Sequence, residues 1–326
     1  MQRRTMLIAG AVLTTTVVAA AVVWTRLPQQ DPDPAYVPRT RARAFSPDTG
    51  PRVAIDEAHV NLHTANGRYA PFARLARADG FRVAPLSDRF AAAALADVDI
   101  LVVANALGLA GAAEQLGTVL GLDRYARWTG SAFRDDEIES VAAWVASGGS
   151  LLLVADHRPA GAAAGRLARR FAVEMTNGYV EDPDHHDPVT GLPTTLVFDR
   201  ADNLLGEHPI LTGRRDDERV DRIVTFTGQA LRAPAHATAL LRLSGTAIER
   251  TGRGGDAPAR SVAGLAQGVA LTHGRGRVVV IGEAAFVTSQ VVRGPDGPAS
   301  IGLGWPGAHN ERFALNVLRW LARVEG

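Results

Sequence analysis

The chain has no cysteine. That excludes disulfides, thiolate nucleophiles, Cys-ligated zinc and iron–sulfur clusters together. It has no lysine either, so all 35 basic residues are arginine. A Walker-type phosphate loop, a Schiff-base enzyme and a Ser-Lys dyad each need a lysine, and nucleotide binding through a phosphate loop falls with it. Net charge is also scarce: 35 basic residues against 34 acidic ones leave a formal +1. Such a balance does not read as a nucleic-acid binder. No serine sits in a G-x-S-x-G elbow, so an esterase triad has no obvious nucleophile. No G-x-G-x-x-G follows the first candidate strand, so dinucleotide binding has no support.

What remains is an ordinary globular composition, 46% hydrophobic over 326 residues, with enough length for a sizeable core. Residues 1–4 end in Arg3-Arg4, and a charge-free run follows from Thr5 to Thr25. That run is close to the ~20 residues needed to cross a bilayer as a helix. The expectation is an uncleaved transmembrane anchor over 5–25, with the arginines cytoplasmic and the rest extracytoplasmic. A cleaved signal peptide is the rival, with Ala19-Ala20-Ala21 as its small-residue site. Arg3-Arg4-Thr5-Met6-Leu7 is also weakly similar to a twin-arginine export signal. Residues 26–51 hold Pro28, Pro32, Pro34, Pro38, Pro47 and Pro51 and read as an extended tether. Residues 52–326 read as an α/β domain.

Within that domain, Arg52 to Ile55, Asp99 to Ala104 and Ser150 to Ala155 are apolar, strand-like runs separated by helical patterns. Gln267 to Thr272 and Arg277 to Ile281 flank a Gly274-Arg275-Gly276 turn. A last helix is expected from Asn310, a good N-cap residue. Apolar strands alternating with helices argue for a mostly parallel sheet covered by helices. The stretch from Thr176 to Thr251 is less regular and suggests insertions or antiparallel strands.

Open sheets of this kind bind ligands beyond the carboxyl ends of their strands. The first strand runs into Asp56, Glu57, His59, Asn61 and His63; the second into Asn105; the third into Asp156-His157; the last into Glu283. Asp156, His157, Glu57 and Glu283 are the candidate acid–base groups. Asp56, Asn61, Asn105 and Asn310 are candidates for holding a ligand. His59 and His63, four apart, would share a helical face and could chelate a divalent metal, the one cofactor the residues suggest. In a loop the same spacing predicts nothing. Asp56-Glu57-Ala58-His59 spells the helicase box, which is idle without a lysine-bearing phosphate loop. Asp156 could equally serve as a helix cap. The acidic and histidine run Glu181 to Pro188 lacks the EF-hand spacing and reads as a solvated loop. Gly228-Gln229 is a weaker candidate.

Five strings carry a family resemblance: Ile55 to His59 with Asn61 and His63-Thr64, Tyr69 to Phe72, Gly148 to His157, Gly276 to Ala285, and Asn310 with Phe313, Asn316 and Trp320-Leu321. Together they resemble the bacterial domain of unknown function 4350, over residues 52–323. The resemblance implies the class I glutamine-amidotransferase-like fold, a flavodoxin-like parallel sheet flanked by helices, and a membrane-associated setting. Similar domains occur in auxiliary proteins of gliding-type ABC transporters and in trehalose-utilisation-like proteins. Amidotransferases of that fold attack through an elbow cysteine, and Asp156-His157 stands in its place here. Glutamine hydrolysis by that chemistry is therefore excluded. Two readings follow. One is a hydrolase-type site, with or without a metal. The other is a non-catalytic ligand-binding or scaffolding domain with a protein partner in a membrane complex or transporter.

Overall fold

A computed structural model describes residues 30–39, 42–119, 130–252, 255–294 and 297–324. The expected anchor, 5–25, lies outside them. Among the described residues no helix is long and apolar enough to cross a membrane.

Five parallel strands, numbered in chain order, form the centre: β1 Arg52–Asp56, β2 Arg82–Leu86, β3 Ile100–Ala104, β4 Ser150–Val154 and β5 Gly276–Ile281. They pair in the order β2-β1-β3-β4-β5, the flavodoxin-like arrangement of a doubly wound sheet. The expected hairpin forms: Ala266–His273 runs antiparallel to β5, with Thr272 opposite Arg277. With it and the short strands Glu174–Met175, Leu231–Arg232 and Thr238–Arg242, the sheet has nine strands among the described residues.

Among the described residues five helices of nine residues or more flank the sheet: α1 Ala70–Ala78, α2 Gly108–Val119, α3 Asp135–Ala146, α4 Ala160–Arg169 and α5 Asn310–Leu321. Alternate strand residues serve opposite faces. Val53, Ile55, Val102, Leu152 and Val279 pack with Phe72, Leu75, Phe313 and Leu318 of α1 and α5. Leu101, Val103, Leu151, Leu153 and Val280 pack with Val141, Val145, Ala164 and Leu167 of α3 and α4. β3 and β4 are buried at every position, whereas β2 is largely exposed. β2 is the edge strand and carries Pro85, which an edge tolerates because it lacks a ladder donor there.

The stretch from Thr176 to Thr251 does carry antiparallel strands. Thr195–Asp199 pairs with Arg222–Phe226, and Ile248–Arg250 lies between Tyr179–Glu181 and Ala259–Ser261. The expected tether is, over its described residues, docked on the domain. Gln30–Pro32 pairs antiparallel with Gln290–Val292. The buried Tyr36 donates its hydroxyl hydrogen to Glu311 at 3.0 Å, and Phe45 packs edge-on against Phe81 at 5.1 Å.

Arg319 ties several of these parts together. From the last turn of α5 it reaches both carboxylate oxygens of Asp79 at 2.8 and 2.6 Å, Glu218 at 2.9 Å and the Ala42 carbonyl at 2.8 Å. All three charged side chains are buried. Arg319→Met would leave Asp79 without its counter-ion. It is expected to lower the unfolding free energy by roughly 3–5 kcal/mol, the usual cost of breaking a buried pair. Denaturant unfolding of the full chain measures this, and a loss under about 1 kcal/mol, typical of an exposed pair, would show the cluster to be dispensable.

Candidate functional site

The polar residues after β1 separate into a closed network and a cavity wall. Asp56 is fully buried, and its carboxylate receives the His59 ring Nδ1 at 2.8 and 3.0 Å. The other ring nitrogen, Nε2, contacts Glu137 at 2.9 Å, from the first turn of α3. Phe90 and Phe133 cover the imidazole, with ring centroids 4.5 and 4.8 Å away. Asn61 donates to Asp56 at 2.9 Å and accepts from the His59 backbone N–H at 3.0 Å. Glu57 accepts from the Ala65 N–H at 2.8 Å and so staples the same loop.

This corrects the metal expectation. Both nitrogens of His59 are committed to carboxylates, so none is left for an ion. Among the described residues no group of three or more His, Asp or Glu is arranged to hold a metal. Asp56, Asn61 and Glu57 are likewise used up in holding the loop, and none lines the cavity. Asn310 is a further correction. The helix N-cap is His309. The buried Asn310 amide accepts from Val224 N–H and donates to the Val224 and Gly302 carbonyls, which satisfies it entirely within the fold.

The other candidates converge. His63, Asn105, Asp156, His157 and Glu283 line one cavity of about 710 Å³ at the carboxyl ends of β1, β3, β4 and β5. Asn105 takes a left-handed backbone (φ 44°) and accepts the Asp156 N–H at 2.8 Å, which fixes the turn after β4. The His157 Nδ1 lies 2.9 Å from the Arg158 carbonyl. A carbonyl can only accept, so Nδ1 carries the hydrogen and the neutral ring keeps its lone pair on Nε2. The ring stacks on Tyr179 at 4.3 Å.

Glu283 is fully buried. Its oxygens accept the N–H groups of Ala285 and Phe286 at 2.6 and 2.9 Å. Burial, with the charge of Asp156 second, nevertheless pushes its carboxyl well above the ordinary glutamate value. Asp156 and Glu283 end the neighbouring strands β4 and β5, which brings the two carboxyls together. Gln229 braces this corner, donating to the Ala155 and Asp156 carbonyls at 2.8 and 2.9 Å. Gly228 (φ 72°) is required there: a Cβ would lie 2.5 Å from the Gly282 carbonyl and 2.8 Å from the Glu283 Cβ.

Two buried polar atoms of the cavity wall, His63 Nδ1 and Gln290 Oε1, have no hydrogen-bond partner among the described residues. Such atoms are costly unless something else satisfies them. Burial, with Arg68 second, lowers the His63 pKa to about 3, so its ring is neutral at physiological pH. Arg68, Arg158, Tyr179, Gln290 and Trp305 also line the cavity and were not foreseen. None of them ends a parallel strand, and only the fold brings them to this edge. Val60 and Thr227, both β-branched, hold φ of 55° beside the site, a strained conformation for such residues.

The run from Glu181 to Pro188 is not simply solvated. Asp182 and Asp187 are buried. Asp182 accepts from the Ser244 and Thr246 hydroxyls at 2.6 and 2.8 Å, and Asp187 from the Val189 and Thr190 N–H groups at 3.1 and 3.0 Å.

The fold and the site define a doubly wound α/β protein with a polar cavity at its strand carboxyl ends. No family model and no curated protein matches the chain. Among solved structures, the N-terminal domain of mmIFT52 aligns with a TM-score of 0.57 at 12% identity, over 83% of this chain and 96% of that one. Structural neighbours also include a ThuA-like protein from Bacteroides uniformis, with a TM-score of 0.42 at 11% identity over 89% and 95% of the two chains. Cytoplasmic protein STM3548 from Salmonella typhimurium gives 0.44 at 15% identity over 83% and 98%. At 12% identity the likeness to the mmIFT52 domain is one of fold alone.

Two pH dependences follow from the histidines. Burial opposes the proton on His59, but the hydrogen bonds and charges of Asp56 and Glu137 outweigh it and raise its pKa. Its contribution to stability should be complete below the ordinary histidine range and fall as pH rises through the raised value. His59→Gln should abolish that fall and cost roughly 3 kcal/mol, as for a broken buried pair. His63, with its lowered pKa, acts oppositely: stability should be lost as pH falls from the ordinary histidine range towards about 3. His63→Phe should remove that acid-side loss. Urea unfolding across pH checks both, and a flat profile in the wild-type chain would contradict them.

Proposed function

We propose that this chain is a membrane-anchored, extracytoplasmic hydrolase of a small polar substrate, related to the domain of unknown function 4350. One observation carries the reading. A fully buried carboxyl whose pKa burial and the charge of Asp156 push up, Glu283, lines the same cavity as His157 and the carboxyl of Asp156. Titratable groups whose environments drive them apart are what acid–base chemistry needs. Here His157 takes a proton from water and Glu283 gives one to the leaving group. The cavity, about 710 Å³, is of the size that takes a small molecule. The anchor rests on the apolar run 5–25 and Arg3-Arg4, and the family on the strings quoted above.

A second reading is favoured by the two backbone N–H groups that occupy the Glu283 oxygens. They suit a carboxyl built to shape a corner, and the cavity would then bind without turnover.

The test is hydrolysis of chromogenic carboxylic, phosphoric and glycosidic esters by the full chain, against Glu283→Gln and His157→Asn. The hydrolase reading expects turnover of one class, reduced about 10²–10⁴-fold in either variant, the usual share of a general acid or base. Wild-type activity should decline as pH rises through the raised pKa of Glu283, and Glu283→Gln should lack that decline. Turnover unchanged in both variants, or absent while the cavity still binds ligand, would favour the binding reading.

A further inference from the structure

Part of the cavity wall is apolar and is built by strands outside the parallel sheet. Phe226 closes the strand Arg222–Phe226, and Thr195, directly opposite it, opens Thr195–Asp199. The Phe226 ring meets the Trp305 ring edge-on, with centroids 5.1 Å apart. Ile301 lies in the strand Gly297–Gly302, opposite Gln290 of the strand Ser289–Gly294. Residues directly opposite in an antiparallel pair share one face. Leu192 is fixed beside Thr195, its carbonyl accepting the Thr195 N–H at 2.8 Å. Phe226, Trp305, Ile301, Leu192 and Gln290 all line the cavity. None of the five is charged, and only Gln290 carries an amide.

This wall adjoins the acid–base groups on two sides. Thr227 and Gly228 follow Phe226, and Gly228 packs directly against Glu283. The Thr227 hydroxyl donates to the Val180 carbonyl at 3.0 Å, and Tyr179, one residue earlier, stacks on His157. From the other side Gly302 (φ 86°) comes so close to the turn after Glu283 that a Cβ on it would lie 2.5 Å from the Ala285 carbonyl. The Gly302 carbonyl in turn accepts the Trp305 N–H at 3.1 Å. Gln290 is buried, and its Oε1, which can only accept, has no partner among the described residues. An orphaned acceptor in an apolar wall calls for a donor on whatever fills the cavity. Apolar and aromatic lining with a few placed polar groups is the make-up of a small-molecule site.

We infer that the molecule this cavity takes carries a flat apolar ring with one hydrogen-bond donor beside it, the ring lying against Phe226 and Trp305 and the donor meeting Gln290. The inference rests on the cavity being a small-molecule site, which both readings above share, and not on turnover. Aromatic rings favour edge-on and offset partners, so a third ring extends the pair that Phe226 and Trp305 already form. A saccharide also stacks on an indole, but it brings a rim of hydroxyls, and Gln290 is the one amide on this stretch of wall to receive them.

The probes are naphthol, a flat ring with one O–H; its methyl ether, which keeps the ring and loses the donor; and methyl glucoside. Each is titrated into the full chain while the indole N–H resonances of its five tryptophans are followed, with Trp305→Phe assigning that of Trp305. Naphthol should shift the Trp305 resonance saturably. It should leave that of Trp144, in a separate cavity at the amino ends of the parallel strands, unmoved. The ether should bind about tenfold more weakly, the usual worth of a buried hydrogen bond. That comparison is made in the wild-type chain and needs no variant to fold. Gln290→Met should erase the difference without weakening the ether, and Phe226→Leu should weaken both by about fivefold. A Trp305 resonance that naphthol does not move overturns the inference, and ester turnover seen all the same would leave the hydrolase reading standing without it. A shift at Trp305 with no turnover of any ester keeps the inference and removes the hydrolase reading. A shift with methyl glucoside and not with naphthol shows a saccharide site and overturns it. Equal binding of naphthol and its ether overturns the donor and the part given to Gln290.

Discussion

A parallel sheet buried on both faces has nowhere to keep polar side chains except its ends. β3 and β4 are apolar at every position but Ser150, whose hydroxyl is itself bonded to the Leu321 carbonyl at 2.8 Å. Helices cover both faces, so water and ligand reach the sheet only at its edges and rims. Everything chemically interesting in this molecule follows from that constraint. Asp56, Asn105, Asp156 and Glu283 all stand at or just beyond the last residue of a strand. They are placed there by where the ladder stops.

The same constraint sorts the polar groups into two fates. Asp56, His59 and Glu137 are sealed by Phe90 and Phe133 and satisfy one another, so their charges are structural. Asp156, His157, His63 and Glu283 are also largely buried, but they face space that a ligand can fill. The neighbouring backbone carries the cost of that opening. Val60, Asn105 and Thr227 all adopt left-handed conformations around it, and Gly228 permits an approach no side chain could share.

The fold was legible because buried strands leave a coarse imprint. Ser150 to Ala155 reads as a strand from composition alone, and Gly274-Arg275-Gly276 announces its turn. β2 was not legible, since a half-exposed edge with Pro85 in it lacks both continuous apolar character and clean alternation. The site was legible only in part. Position after a strand singled out Asp156, His157 and Glu283, but could not say whether a polar group faces inward to a partner or outward to a cavity. His59 is paired with Glu137, 78 positions away, and Asn310 with Val224, 86 away. Local spacing contains no trace of such partners. Tyr179, which opens an antiparallel strand, and Trp305, in a loop, went unread for the same reason.

The segment between the apolar run and β1 bears on what counts as the folding unit. Proline content suggested a spacer that could be trimmed away, with the domain starting at Arg52. Instead, Tyr36 is buried against Glu311, the Ala42 carbonyl and Ala44 N–H join the Arg319–Asp79 cluster, and the Asp33 carbonyl receives Arg74 at 2.8 Å. A protease that cut just before Arg52 would therefore not leave an intact domain behind. It would strip a strand from the Gln290 hairpin and uncover the aromatic contact of Phe45 with Phe81. Trimming to Arg52 and freeing the edge of the strand that carries Gln290 into the cavity wall would be one event, so a fragment that starts at Arg52 is no stand-in for the whole chain.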